Sequence, residues 1–164
     1  MREEIAEICR VYFVSHIKRE ENNPFLFHFS GAVWKVDIWI RAVSLTDAFL
    51  LSTSSLLFEA FHTFPIDDIL EHRDFDAVLL PALFRLIRRG LVEDTSISVC
   101  RVLLTIFAAV SAKVGSSVSK EEVRSLECGL RRRDEAAIAR LEQLIAERIG
   151  ALKRQMTGRL HVSV

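Results

Sequence analysis

Apolar side chains recur along most of this chain at the spacing of helix faces rather than strands. In residues 3–20, Ile5, Ile8, Cys9, Tyr12, Phe13 and Ile17 share one face with His16. Acids precede them and Lys18 and Arg19 close the segment, the charge order a helix dipole favours. Asn22, Asn23 and Pro24 end this helix, because proline restricts both its own backbone and its predecessor's. Residues 34–51 carry two competing patterns. The run from Trp34 to Ile40 alternates partly like a strand, whereas Ile38, Ala42, Leu45 and Phe49 follow at steps of four, three and four. The longer pattern predicts a helix. A short helix over 55–63 and a loop through Pro65 follow.

From Asp76 the residues Leu79, Leu80, Ala82, Leu83, Leu86 and Ile87 predict another helix. Pro81 is tolerated there if it lies in the first turn, Arg88 and Arg89 fall in the last turn, and Gly90 is the stop. Residues 96–114 are apolar nearly all round, with Arg101 and Lys113 the only charges, and so predict the buried centre of a bundle rather than a membrane span. Gly115, Ser116 and Ser117 make a turn, and Ser119 with Glu122 has the spacing of a capping box opening a helix that closes near Gly129. Asp134 starts a last helix, striped by Ile138, Leu141, Ile145, Ile149, Leu152 and Met156 as far as Gly158. The expected architecture is all-α: a single domain over 1–164, of six or seven helices around a buried central one.

Composition narrows the function classes. The 164 residues are 50% hydrophobic with 11 Phe, too apolar for a disordered tail. Lys+Arg and Asp+Glu both number 22, and this zero balance speaks against a nucleic-acid binder. Cys9, Cys100 and Cys128 have neither disulfide-framework nor metal-ligand spacing and read as small buried hydrophobes. No secretory leader is read at the charged N-terminus, so the expected compartment is the cytoplasm. The isolated glycines form no phosphate loop. His62, Asp67, Asp68, His72 and Asp74 read as a solvated loop, and Arg131, Arg132 and Arg133 as a solvated turn. No catalytic residue, metal or cofactor is assigned, and the protein is not read as an enzyme.

One charge stands out. A lone Arg101 inside an apolar helix is costly unless it is paired or reaches the rim of a groove. It either makes an internal ion pair, with Asp94 or Glu93, or holds an acidic residue on a partner helix. Helix-in-groove binding uses apolar anchors for area and one charge pair for register.

The stretch from Glu93 to Leu103, with Asp94 and Arg101 in register, resembles the first homology motif of Bcl-2 family apoptosis regulators. Residues 102–112 resemble the buried helix that follows that motif, and 3–20 the family's first helix. The segment from Leu141 to Ile149 is similar to one of its late amphipathic helices. Ile38, Ala42, Leu45, Thr46, Asp47 and Phe49 have the spacing of its BH-three segment. Ser98, Val99 and Cys100 stand where the motif has Asn-Trp-Gly, no Trp follows Trp39, and no C-terminal membrane anchor is read. Such short loops and lost motifs are similar to virus-encoded members. The resemblance implies a soluble pro-survival protein, recruited to mitochondria by its partners, that sequesters the BH-three helix of pro-apoptotic proteins. Arg101 would meet the ligand's Asp, Ser98 would add a hydrogen bond, and Phe49, Phe58, Phe61, Leu80, Phe84, Val99 and Val102 would form the apolar walls. The alternative is a helical assembly module that forms a homodimer through an apolar face and binds no death ligand.

Overall fold

A computed structural model describes residues 36–37, 39–41, 43–44, 58, 61–62, 64–90 and 93–161. The helix expected over 3–20, and with it Cys9, lies outside the described residues, as does Phe49. Every regular element among the described residues is helical, in keeping with the periodicity. The chain divides into two compact units, residues 1–99 and 100–164.

In the first unit the two signals of 34–51 resolve in favour of helix: the described residues between 36 and 44 are helical. The decisive face is Val36, Trp39, Ile40 and Val43, each at most 1% exposed, at steps of three, one and three. Asp37 and Arg41, one turn apart, close an ion pair of 3.1 Å beside that face. Trp39 is the aromatic hub, with ring centroids 5.4 Å from Phe61 and 6.2 Å from Phe64. Phe58 and Phe61 are helical and buried, as the short helix of 55–63 requires.

The loop expected through Pro65 contains a helix, α1 (Ile66–Leu70), which buries Ile69. Its signals were local: Pro65 at the cap and Asp67 and Asp68 in the first turn suit a helix start. The next helix departs from simple α geometry. Residues Phe75–Leu79 form a π-helical turn, in which the amides of Val78 and Leu79 both donate to the Asp74 carbonyl at 3.0 Å. Pro81 has no amide to donate and its ring crowds the carbonyl four residues back, so a widened turn just ahead of it relieves the clash. The chain continues as α2 (Leu80–Arg89), which buries Leu80, Ala82, Leu83, Phe84, Leu86 and Ile87. It stops where the sequence says, at Gly90 in the left-handed region (φ 58°).

Helix α3 (Glu93–Lys113) begins three residues earlier than periodicity suggested. It is not buried all round. Val99, Cys100, Val102, Leu103, Ile106, Phe107, Val110 and Ser111 are buried, while Arg101, Thr105, Ala108 and Ala112 form an exposed stripe at steps of four, three and four. The expectation of a wholly buried helix fails because alanine and threonine, although apolar enough for a core, are also tolerated in water. The window Ser96–Lys113 is long and apolar enough to cross a membrane by length and composition.

In the second unit α3 ends in a Schellman motif. Gly115 (φ 70°) donates to the Ala112 carbonyl and Ser116 to that of Ser111. Ser119 then caps α4 (Lys120–Arg131), its Oγ accepting from the Glu122 amide at 3.0 Å. This helix passes through Gly129 and closes at Arg131. It ends in a second Schellman motif, with Arg133 donating to the Leu130 carbonyl and Asp134 to that of Gly129. The left-handed residue here is Arg133 (φ 55°), not a glycine. Asp134 Oδ1 accepts from the Ala136 amide and so starts α5 (Glu135–His161), which runs on past Gly158. Leu126 and Leu130 of α4 and Ile138, Leu141, Leu144 and Ile145 of α5 join the buried face of α3 in this core.

Gly129 is fixed by packing. A Cβ built on it would fall inside the contact distance of the Ala137 Cβ, so the two backbones approach as only glycine permits. Gly129→Ala therefore destabilises by about 1–3 kcal/mol through overpacking, although alanine gains about 1 kcal/mol of helix propensity. Ala137→Gly in the same chain restores part of the loss, an interaction that urea titration of the four proteins of the cycle measures. Arg133→Gly acts in the opposite sense and raises stability by about 1 kcal/mol, because it removes a left-handed side chain.

Candidate functional site

The nine residues expected to receive a ligand helix separate by exposure. Arg101 is exposed and Ser98 half-buried, one turn apart on α3. Val99, Val102, Phe58, Phe61 and Phe84 are at most 3% exposed and Leu80 is 8% exposed. Phe49 lies outside the described residues, as do the side chains of Glu93 and Asp94.

Exposure of Arg101 changes the argument that singled it out. Its guanidinium needs no buried counter-ion, because its cost arises only if a partner covers it. Thr105 Oγ1 donates to the Arg101 carbonyl at 2.8 Å, so the Thr105 hydroxyl is turned back on the helix and the stripe presents methyl groups with one cation at its start. That strip is narrow, weakly polar and low in profile.

Cys100, next to it in sequence, faces inward. Burial, with the Glu127 carboxylate adding to it, pushes its thiol up to about 11, and the cations of Arg131 and Arg101 only partly oppose this. A thiol held protonated is a poor nucleophile and a poor redox centre. Cys128 is exposed.

The acid and histidine cluster comes together in part. His72 and Asp74 meet Asp37, a residue the sequence gave no reason to include, and their ligand-type atoms lie within 4.8 Å of one another. His62, Asp67 and Asp68 are not in that group. The loop reading needs correction at His72, whose side chain is only 7% exposed. Its Nδ1 accepts from the Asp74 amide at 3.1 Å and its Nε2 stands 3.6 Å from Asp37 Oδ1. An Nδ1 that accepts from an amide puts the proton of a neutral ring on Nε2, pointing at the carboxylate. A metal at Nε2 would displace that proton to Nδ1, against the amide hydrogen, whereas metal-binding histidines want an acceptor there. Both carboxylates also face arginines, Asp37 at 3.1 Å from Arg41 and Asp74 at 3.6 Å from Arg73. The arrangement suits a pin between the helix around Asp37 and the turn before Phe75.

Arg131, Arg132 and Arg133 are exposed, and Arg131 is held by Glu127 at 2.8 Å. Arg148 is a cation the sequence reading passed over. Its guanidinium lies 4.9 Å over the Phe107 ring, and its Nε, like the buried Ser111 Oγ, has no hydrogen-bond partner. Its position one turn after Leu144 on an apolar stripe was the available signal.

Comparison of the chain with family models, curated proteins and solved structures returned no match.

The thiols provide a direct check of this geometry. In a Cys9→Ser background, a disulfide reagent at pH 8 should titrate one thiol in the folded protein and two after denaturation, and Cys128→Ser should abolish the first. The raised Cys100 pKa also fixes a sign. Above pH 9 the unfolded thiol loses its proton while the folded one keeps it, so this contribution to stability is lost as pH rises from 9 towards 11. A Cys100→Ala variant removes that part of the pH slope.

Proposed function

We propose that this protein captures an amphipathic helix of a partner, in the manner of a Bcl-2-like pro-survival protein. Arg101 is the cation that receives an acidic residue of the BH-three segment. The exposure of Arg101 at the head of the Thr105, Ala108 and Ala112 stripe carries the reading. A cation at the surface of an apolar helix gives a ligand helix its register, and the small residues beyond it permit close approach. Ser98, one turn earlier and half-buried, is within the same footprint. On this reading the protein is a cytoplasmic inhibitor of apoptosis that works by sequestration rather than catalysis. It follows partners to the mitochondrion. The helix-and-motif resemblance of residues 93–112 suggests the family, and the surface position of Arg101 supports the role assigned to it.

Calorimetric titration with BH-three peptides tests this. Binding tighter than about 10 μM, or about −7 kcal/mol, is expected. Arg101→Ala should cost about 2–5 kcal/mol of it while leaving the melting temperature unchanged, since the side chain is exposed. No binding by any peptide removes the reading. A dimer on elution, with no peptide bound, favours the assembly module.

A further inference from the structure

The second half of α5 has a composition unlike the rest of the chain. From Arg148 to His161 its charged residues are Arg148, Lys153, Arg154 and Arg159, with His161 beside them and no Asp or Glu. The chain as a whole is neutral, so this is a local concentration of positive charge. The same segment carries an apolar row. At about 100° per residue, Ile149, Leu152, Met156 and Leu160 fall within an arc of about 80°, with Lys153 and Arg159 on its two flanks and Arg154 behind.

That row continues the seam that Ile138, Leu141 and Ile145 bury in the core, but the cover stops. Helix α4 has 12 residues against 27 for α5, about 18 Å against 40 Å. Arg148 lies 4.9 Å over the Phe107 ring, and Ile149 to Leu152 are half-buried. Beyond them every residue from Lys153 to Gly158 is exposed. Met156, at 61%, is the large hydrophobic residue most open to water among the described residues.

An apolar stripe edged by cations and free of acids is complementary to a surface that is anionic and has an apolar layer beneath. We infer that residues 148–161 form a peripheral docking helix for an anionic lipid surface. Met156 and Leu152 enter the interface while the stem of Lys153 lies along it and its charge stays at headgroup level. An acidic protein helix shares the charge but not the two-layer match, and a second copy of this helix would set cation against cation. The inference is independent of Arg101, which lies on another helix.

The test is flotation of the full chain with vesicles of phosphatidylcholine alone or with about one third phosphatidylserine. The chain should float with the anionic vesicles only, and raising salt from about 0.1 M to 0.5 M should release most of it. Met156→Glu, and separately Lys153→Glu with Arg154→Glu, should each lower the bound fraction at least tenfold with unchanged circular dichroism and elution volume. No flotation with anionic vesicles overturns the inference, as does binding that survives both variants or that is equal on neutral vesicles. A concentration-dependent dimer that Met156→Glu dissolves, without flotation, reassigns the stripe to self-association.

Discussion

The close approach of Gly129 to Ala137 is the constraint on which the second unit rests. A turn of three residues cannot by itself hold two helices side by side; here the missing side chain lets the α4 and α5 backbones nearly touch at the start of α5. That contact fixes the direction in which α5 leaves the turn. From it follow the burial of Leu126, Leu130, Ile138, Leu141 and Ile145, and the seat of Arg148 over Phe107. The overhang of the basic half is a further consequence, since α5 is more than twice as long as the helix it packs on. The left-handed Arg133 is strain tolerated to make this turn, where α3 reaches the same geometry with Gly115 and none.

The first unit depends on aromatic packing around Trp39 and on one buried polar connection. The His72 ring accepts a hydrogen bond from the Asp74 amide at Nδ1 and has Asp37 3.6 Å from Nε2, so it brings a turn beside a helix distant in sequence. The tautomer that this requires is also the one least suited to a metal.

The two surface features of the molecule divide the functional question. On the proposed function, Arg101 with its stripe of small residues offers a place for one specific acidic contact. The tail of α5 has diffuse positive charge and an apolar edge, which attracts a class of surface rather than a particular residue. Neither needs chemistry at a reactive group. The buried Cys100 thiol, held above its ordinary pKa, is withdrawn from such chemistry.

What the sequence determined by itself was local. Gly90, Gly115, Ser119 and Asp134 mark helix ends through backbone dihedrals and single hydrogen bonds made within a few residues, and each of them stands where those rules place it. Helix was legible too at the described residues between 36 and 44, where Val36, Trp39, Ile40 and Val43 are buried, while Ile38, Ala42, Leu45 and Phe49 lie outside the described residues. Faces are set by what lies opposite, and that is where sequence reasoning stopped. Residues 96–114 have no polar stripe to read, so only packing could decide that Arg101, Thr105, Ala108 and Ala112 look outward. The helix closes near Gly129 as expected, but the role of that glycine was hidden, because a glycine demanded by a neighbour's backbone looks the same in sequence as one demanded by a left-handed φ. His72 read as solvated because Asp37, the carboxylate beside it, is 35 residues away. The stripe of α5 was visible throughout, but the point at which its cover ends is a property of two helix lengths in space.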